Sequence, residues 1–318
     1  MIAYSHKTKQ YLLLALKVFI LGITFGYIYF KITQNETLDL KEFSSEVFSK
    51  NNNSIGSILI FFLLAFANWF FEILKWKTVA SVVQKLSFLT AMKQSLYSLT
   101  VSLATPNRIG DYGAKAYFFE LEKRKQILLL NFFSNSVQMG VTILFGILGL
   151  TYIIQKFGLS ISFSKLAIGV FSLILIVILG FVFKEQQLIV KGLSISKVLN
   201  NIKNLSFIVK IKAVTYSFIR YLIFSYLFFY LLLFFGANIS LYEAFPIIFT
   251  MYLLVSLVPT IFIFDVIVRG GTAVWLFSII GVSELTVLST VLAMWMLNFV
   301  FPSILGGYYM FTYKPRKS

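Results

Sequence analysis

Six apolar runs, each long enough to cross a bilayer, constrain what this 318-residue chain can fold into: 11–30, 55–76, 127–154, 165–183, 213–235 and 284–312. A helix of about 20 apolar residues spans the ~30 Å hydrocarbon core, and in lipid only a helix or a closed barrel satisfies its own backbone. Composition agrees, with 58% of residues hydrophobic and 13% charged, against about 25% charged in soluble domains. The expectation is an all-α polytopic membrane protein, a single transmembrane domain over 1–318. The first run follows Lys7 and Lys9, as a signal peptide would, but ends in Tyr27-Ile-Tyr-Phe30 with no small-residue cleavage site. It reads as an uncleaved first span.

The residue inventory removes most chemistries. There is no cysteine, so disulfides, thiolate catalysis and Cys-based metal sites are excluded. The single histidine, His6, lies in the N-terminal tail and leaves no imidazole among the spans. Neither a cofactor nor a metal is expected. The formal charge of +16 is spread between apolar runs rather than gathered into one patch, so no nucleic acid is expected either.

The charge instead encodes topology. Of the 28 Lys and Arg, only Lys31, Lys41, Lys50, Lys156 and Lys165 fall in stretches assigned outside. The 75–93 connector, Lys123-Arg124-Lys125, the 184–212 connector and both tails carry far more. Positive residues mark the cytosolic side, so both termini are expected in the cytoplasm of a cell (plasma or inner) membrane. The 184–212 connector could lie on an anionic leaflet.

Two further apolar stretches are interrupted. About 88–122 is expected to break at Pro106 and Gly110 and carries Arg108, Asp111 and Lys115; about 242–281 is expected to break at Pro259 and at Gly270 and Gly271 and carries Asp265 and Arg269. Each arm is short for a span, so each stretch is expected to be a re-entrant helical hairpin, with irregular backbone covered by protein. Val101-Ser-Leu recurs as Val255-Ser-Leu about half a chain later. With the first hairpin entering from the cytosol and the second from outside, the halves, about 1–160 and 161–318, would be inverted repeats. Transporters built that way hold their broken helices at the repeat interface.

Other polar residues stand on the spans. Glu72 and Lys75, three apart, read as an interfacial pair. Asn131, Asn135 and Gln138 form one stripe, of the kind that usually joins helices. Arg220 is either buried in the bundle or snorkels to the cytosolic side. Pro302 and Gly306-Gly307 suggest a kinked, closely packed last span.

At T-P-N-R-I-G-D-Y-G, and again at V-P…V-R-G-G, the chain resembles the lysylphosphatidylglycerol synthase transmembrane family, flippase-like membrane domains found alone or fused to lipid-modifying domains. Pro106, Arg108, Gly110 and Asp111 carry the first motif. Pro259, Val268, Arg269 and Gly271 carry the second, with Gly270 in place of its acid. The aminoacyl-transferring domain of the bifunctional members is absent, so the resemblance implies lipid handling rather than lipid aminoacylation.

Three functional readings follow. In the first, the chain is a flippase or transporter for an anionic lipid or a polyprenyl-phosphate-linked intermediate, working beside a separate lipid-modifying or glycosyltransferase protein. Arg108 and Arg269, with Lys115 and Arg220, would engage the headgroup phosphate, and Asp111 and Asp265 would neutralise the arginines when the site is empty. In the second, it is an intramembrane lipid- or glycolipid-modifying enzyme, or a membrane subunit of a cell-envelope glycosyltransferase or synthase, with Asp111 and Asp265 as bases or metal ligands, although two lone aspartates make a weak metal site. In the third, the charged pairs are structural and lock the hairpins.

Overall fold

The computed structural model describes residues 54–103, 105, 109–158, 195–258 and 262–312. The expected spans at 11–30 and 165–183 lie outside the described residues, as do Pro106, Arg108 and Pro259.

Every described element is helical: α1 Ser54–Ala80, α2 Phe88–Leu103, α3 Gly110–Tyr117, α4 Leu121–Phe157, α5 Ile195–Lys203, α6 Phe207–Phe234, α7 Leu241–Leu257, α8 Phe262–Ser278, α9 Glu284–Trp295 and α10 Phe301–Thr312. A π-helical turn, Met296–Val300, joins α9 to α10. Among the described residues, four helices are long and apolar enough to cross a membrane: Ile55–Ala80, Leu121–Phe157, Phe207–Phe234 and the continuous Glu284–Thr312. They fall on four of the six expected spans.

Two spans start earlier than hydropathy suggests. Helix α4 begins after Glu120, whose backbone is extended at ψ 149°, so Lys123-Arg124-Lys125 ride on its first turns. Helix α6 begins inside the expected 184–212 connector, because the Ser206 hydroxyl accepts the Val209 N–H at 3.4 Å and caps it.

Both interrupted stretches form helix–break–helix units, α2 with α3 and α7 with α8. In the first, the Thr105 hydroxyl donates to the Ser102 carbonyl at 2.9 Å and accepts the Gly110 N–H at 2.8 Å, stapling the end of α2 to the start of α3. Gly110 has no room for a side chain there: a Cβ would lie 2.9 Å from both Thr105 Oγ1 and the Val101 carbonyl. In the second, α7 ends at Val258, which is extended at φ −93°, ψ 117°, the conformation a following proline imposes. Gly270 and Gly271, expected as breaks, instead lie inside the continuous α8. Gly270 serves packing: a Cβ there would lie 3.3 Å from the Leu288 side chain of α9.

The π-turn in the last span has a reason visible in its sequence. Pro302 has no N–H to give the carbonyl four residues back, that of Asn298. The Trp69 indole donates to that carbonyl at 3.1 Å, and the Asn68 amide donates to the Asn298 side chain at 2.8 Å. The π-turn is thus held from α1.

The helices pack in matched pairs. Helix α1 packs on α6; α4 packs on α7 and α10 on α2; α3 packs on α4 and α8 on α9; α1 packs on α4 and α6 on α9. Exchanging the helices of 54–158 for those of 195–312 leaves this scheme unchanged. Two of the crossings share one device. Gly149 of α4 sits against the Pro246 carbonyl and Thr250 of α7, and Gly306 of α10 sits against the Leu96 carbonyl and Thr100 of α2. In each, the threonine hydroxyl donates to the carbonyl one turn earlier, at 2.8 Å in α7 and 3.2 Å in α2. Small residues allow the backbones this approach where lipid provides no hydrophobic drive.

Candidate functional site

Between the two hairpin breaks lies a cavity of about 550 Å³. Ser102 and Thr105 reach it from the first hairpin, and Val255, Ser256 and Val258 from the second. Helix α4 contributes Asn135 and Gln138, α6 contributes Arg220 and Tyr221, and the π-turn contributes Asn298 and Phe299. Asp265 and Arg269 of α8 complete its charged wall.

Arg220 is half-buried and turned into the bundle rather than snorkelling. Its Nη1 lies 2.8 Å from Glu72 Oε2, and its Nε donates to Asn68 Oδ1 at 3.0 Å. The same Glu72 oxygen lies 2.9 Å from Lys75 Nζ. The pair expected at the interface is therefore internal: Lys75 is 1% exposed and Glu72 is buried beside it. One carboxylate is shared by two cations, and the cluster carries a net positive charge facing the cavity.

Across the cavity, Arg269 Nη2 lies 3.4 Å from both Asp265 oxygens, and its guanidinium stands 6.0 Å from the centre of the Tyr252 ring. Tyr252 in turn meets Tyr221 edge-on at 6.0 Å between ring centres. Tyr252 thus joins Arg269 to Tyr221, the residue that follows Arg220 in α6.

Asp111 and Lys115 do not line this cavity. They form a separate buried cluster at 3.1 Å, in which Ser98 and Asn131 each donate to Asp111 at 2.7 Å. Lys115 donates to Asn131 at 3.1 Å and stands 4.6 Å from the centre of the Trp76 ring. So the structure brings Arg220, Asp265 and Arg269 together, sets Asp111 and Lys115 apart, and leaves Arg108 outside the described residues. The α4 stripe connects the parts: Asn131 serves the Asp111 cluster, Asn135 faces the cavity, and Gln138 accepts from Lys75 and Arg220 at 3.4 Å.

Sequence reasoning missed Tyr221, Asn68 and Glu72 as members of the site. It also missed a register that was there to be read. The offset that carries Val101-Ser-Leu onto Val255-Ser-Leu carries Asp111 onto Asp265 and Lys115 onto Arg269. Each hairpin therefore has an acid and a base one helical turn apart, at the same place after its break, and Ser102 and Ser256 occupy the cavity wall in the same register.

Spanning helices, paired hairpins and a polar cavity enclosed among them define an all-α polytopic membrane protein. The chain belongs to the family described as the lysylphosphatidylglycerol synthase TM region, whose model matches residues 14–306. It is accordingly a membrane protein of lipid-related biology. Neither a curated protein nor a solved structure matches it.

Proposed function

We propose that this protein is a flippase-like transporter for a lipid with an anionic, phosphate-bearing headgroup, and that the cavity between the hairpins receives that headgroup. The observation that carries the reading is a pair of arginines, Arg220 and Arg269, in the wall of a cavity inside an apolar bundle. Charged groups at such depth mark a functional path, and the guanidinium fork matches phosphate oxygens. Asp265 holds Arg269 while the site is empty and gives way to phosphate. Asp111 and Lys115, off the cavity and enclosed by their own partners, lock the first hairpin.

The internal register and the exchange of helix contacts support inverted halves with two re-entrant hairpins, the architecture of alternating access. The positive-inside count supports a cell membrane with both termini cytoplasmic. No G-x-x-x-x-G-K-[ST] loop occurs in the sequence, so transport is passive or gradient-driven. A separate lipid-modifying or glycosyltransferase protein supplies or consumes the lipid.

Native mass spectrometry on gently extracted protein tests the reading. Wild type should retain a phosphate-bearing lipid that Arg220→Ala and Arg269→Ala lose while still folded, and the wild type should then scramble that lipid in vesicles. Equal retention by all three proteins would remove the headgroup site.

A further inference from the structure

Occupancy of the cavity has a way of reaching the last span. We propose that Asn68 is the positioning residue that couples the two: it holds Arg220 and the π-turn in one arrangement while the cavity is empty, and a phosphate that engages Arg220 releases the turn. This inference rests on the cavity being a headgroup site.

Asn68 stands where three elements meet. It lies on α1, is 1% exposed and reaches the cavity wall. Its Oδ1 accepts from Arg220 Nε of α6 at 3.0 Å, and its Nδ2 donates to Asn298 Oδ1 in the π-turn at 2.8 Å. The assignment of the two amide ends is forced, because a guanidinium only donates. An amide is also one rigid plane. Turning Oδ1 away from Arg220 swings Nδ2 away from Asn298, so neither bond is lost alone.

The π-turn is built to respond. Asn298 gives its own side-chain N–H to the Met294 carbonyl at 3.1 Å, and its backbone carbonyl, left open by Pro302, accepts from the Trp69 indole. Asn68 and Trp69 are thus neighbouring ties from α1 to the turn. The turn also divides two helices that are held differently. Helix α9 packs on α8 and α6, whereas α10 packs on α2, where the Thr100 hydroxyl donates to the Ser303 carbonyl at 3.0 Å. Turns of this type recur at kinks and functional sites, and this one meets the cavity through Asn298 and Phe299.

Phosphate chemistry selects the tie that breaks. Arg220 Nη1 lies 2.8 Å from Glu72 Oε2, and Nε is given to Asn68. A phosphate pairs with two donors side by side on one edge of the guanidinium fork. On the edge that contains Nε it displaces only a neutral amide, whereas at Nη1 it competes with a carboxylate. The bond between two ions is the stronger, so Glu72 stays and Asn68 yields. Contact between ligand and Arg220 is thereby converted into the loss of a tie on the turn, the differential interaction that a ligand-driven change requires.

The test uses the purified full chain in phosphatidylcholine nanodiscs, with dihexanoylphosphatidate as probe. Because the chain has no cysteine, spin labels can be placed at Ser278→Cys of α8 and Tyr308→Cys of α10, both exposed. In the otherwise wild-type protein the distance between the labels should shift when the probe saturates the site. Asn68→Ala should populate the shifted distance without probe and, by reciprocity of coupling, should bind the probe about three- to tenfold more tightly. A residue that merely shaped the wall would give the opposite sign, since its loss removes contacts. Binding by Asn68→Ala that is weaker than or equal to wild type overturns the proposal, as does probe binding without a shift in the label distance; in both cases the headgroup site stands. If Asn68→Ala does not fold, Asn298→Ala cuts the same tie from the other side and must give the same two results. A probe that fails to bind the wild-type protein above the phosphatidylcholine background removes the headgroup site, and this inference with it.

Discussion

Glu72 holds two cations, Lys75 one turn along its own helix and Arg220 on a helix far away in sequence. Removing that carboxylate leaves two adjacent cations, Lys75 buried and Arg220 half-buried, with neutral amides as their remaining partners. Glu72→Gln should therefore destabilise the protein by ~3–5 kcal/mol, seen as a lowered thermal midpoint of the detergent-solubilised protein. The Asp265–Arg269 pair faces a different test. If it were only a clamp, exchanging the two residues as D265R/R269D would restore both fold and transport. As a phosphate site it should fold and remain inactive in vesicle scrambling, because the guanidinium has moved by one helical turn. Little of this was legible in sequence. Spacing along a helix reveals partners three or four residues away, so Glu72 and Lys75 could be paired on paper. Arg220 could not be added, since nothing local links α6 to α1. Tyr221 was hidden among 17 tyrosines and 36 phenylalanines, and only its place on the cavity wall sets it apart.

Elements were far easier to read. The bilayer fixes the length of a span, so hydropathy alone located the four spanning helices that the structure describes. The two breaks were visible from Pro106 and Pro259, although proline alone is not a sufficient sign: Pro246 lies inside the unbroken α7. Glycine was the poor guide. Gly270-Gly271 looked like a break and is helix interior, whereas Gly149, unremarked, and Gly306, read as part of a kinked, closely packed span, both sit at close helix crossings. Whether a helical glycine bends, caps or packs depends on what stands opposite, and that is a tertiary fact. Gly149→Ala and Gly306→Ala should each cost about 1–3 kcal/mol by overpacking, measured by thermal melting. Gly307→Ala, next in the chain and with no neighbour within 4 Å, should be close to neutral. Trp69→Phe removes the donor that satisfies the carbonyl left open by Pro302 and should cost about 1 kcal/mol.

At the scale of the whole molecule, the absence of cysteine makes orientation directly measurable. Single cysteines placed at Ser5 or Ser318 should resist a membrane-impermeant maleimide in intact cells and react after permeabilisation, whereas one at Ser45 should react from outside. The reverse pattern would invert the topology drawn from the basic residues. The two glycine crossings then carry a mechanical meaning. Each ties a hairpin of one half to the terminal span of the other, α7 to α4 and α2 to α10. The halves are laced through each other like the fingers of clasped hands, and a movement that pulled them apart would break both contacts together. A movement that carries α2 with α10 and α4 with α7 keeps both, so the natural rigid bodies cut across the sequence halves rather than coinciding with them.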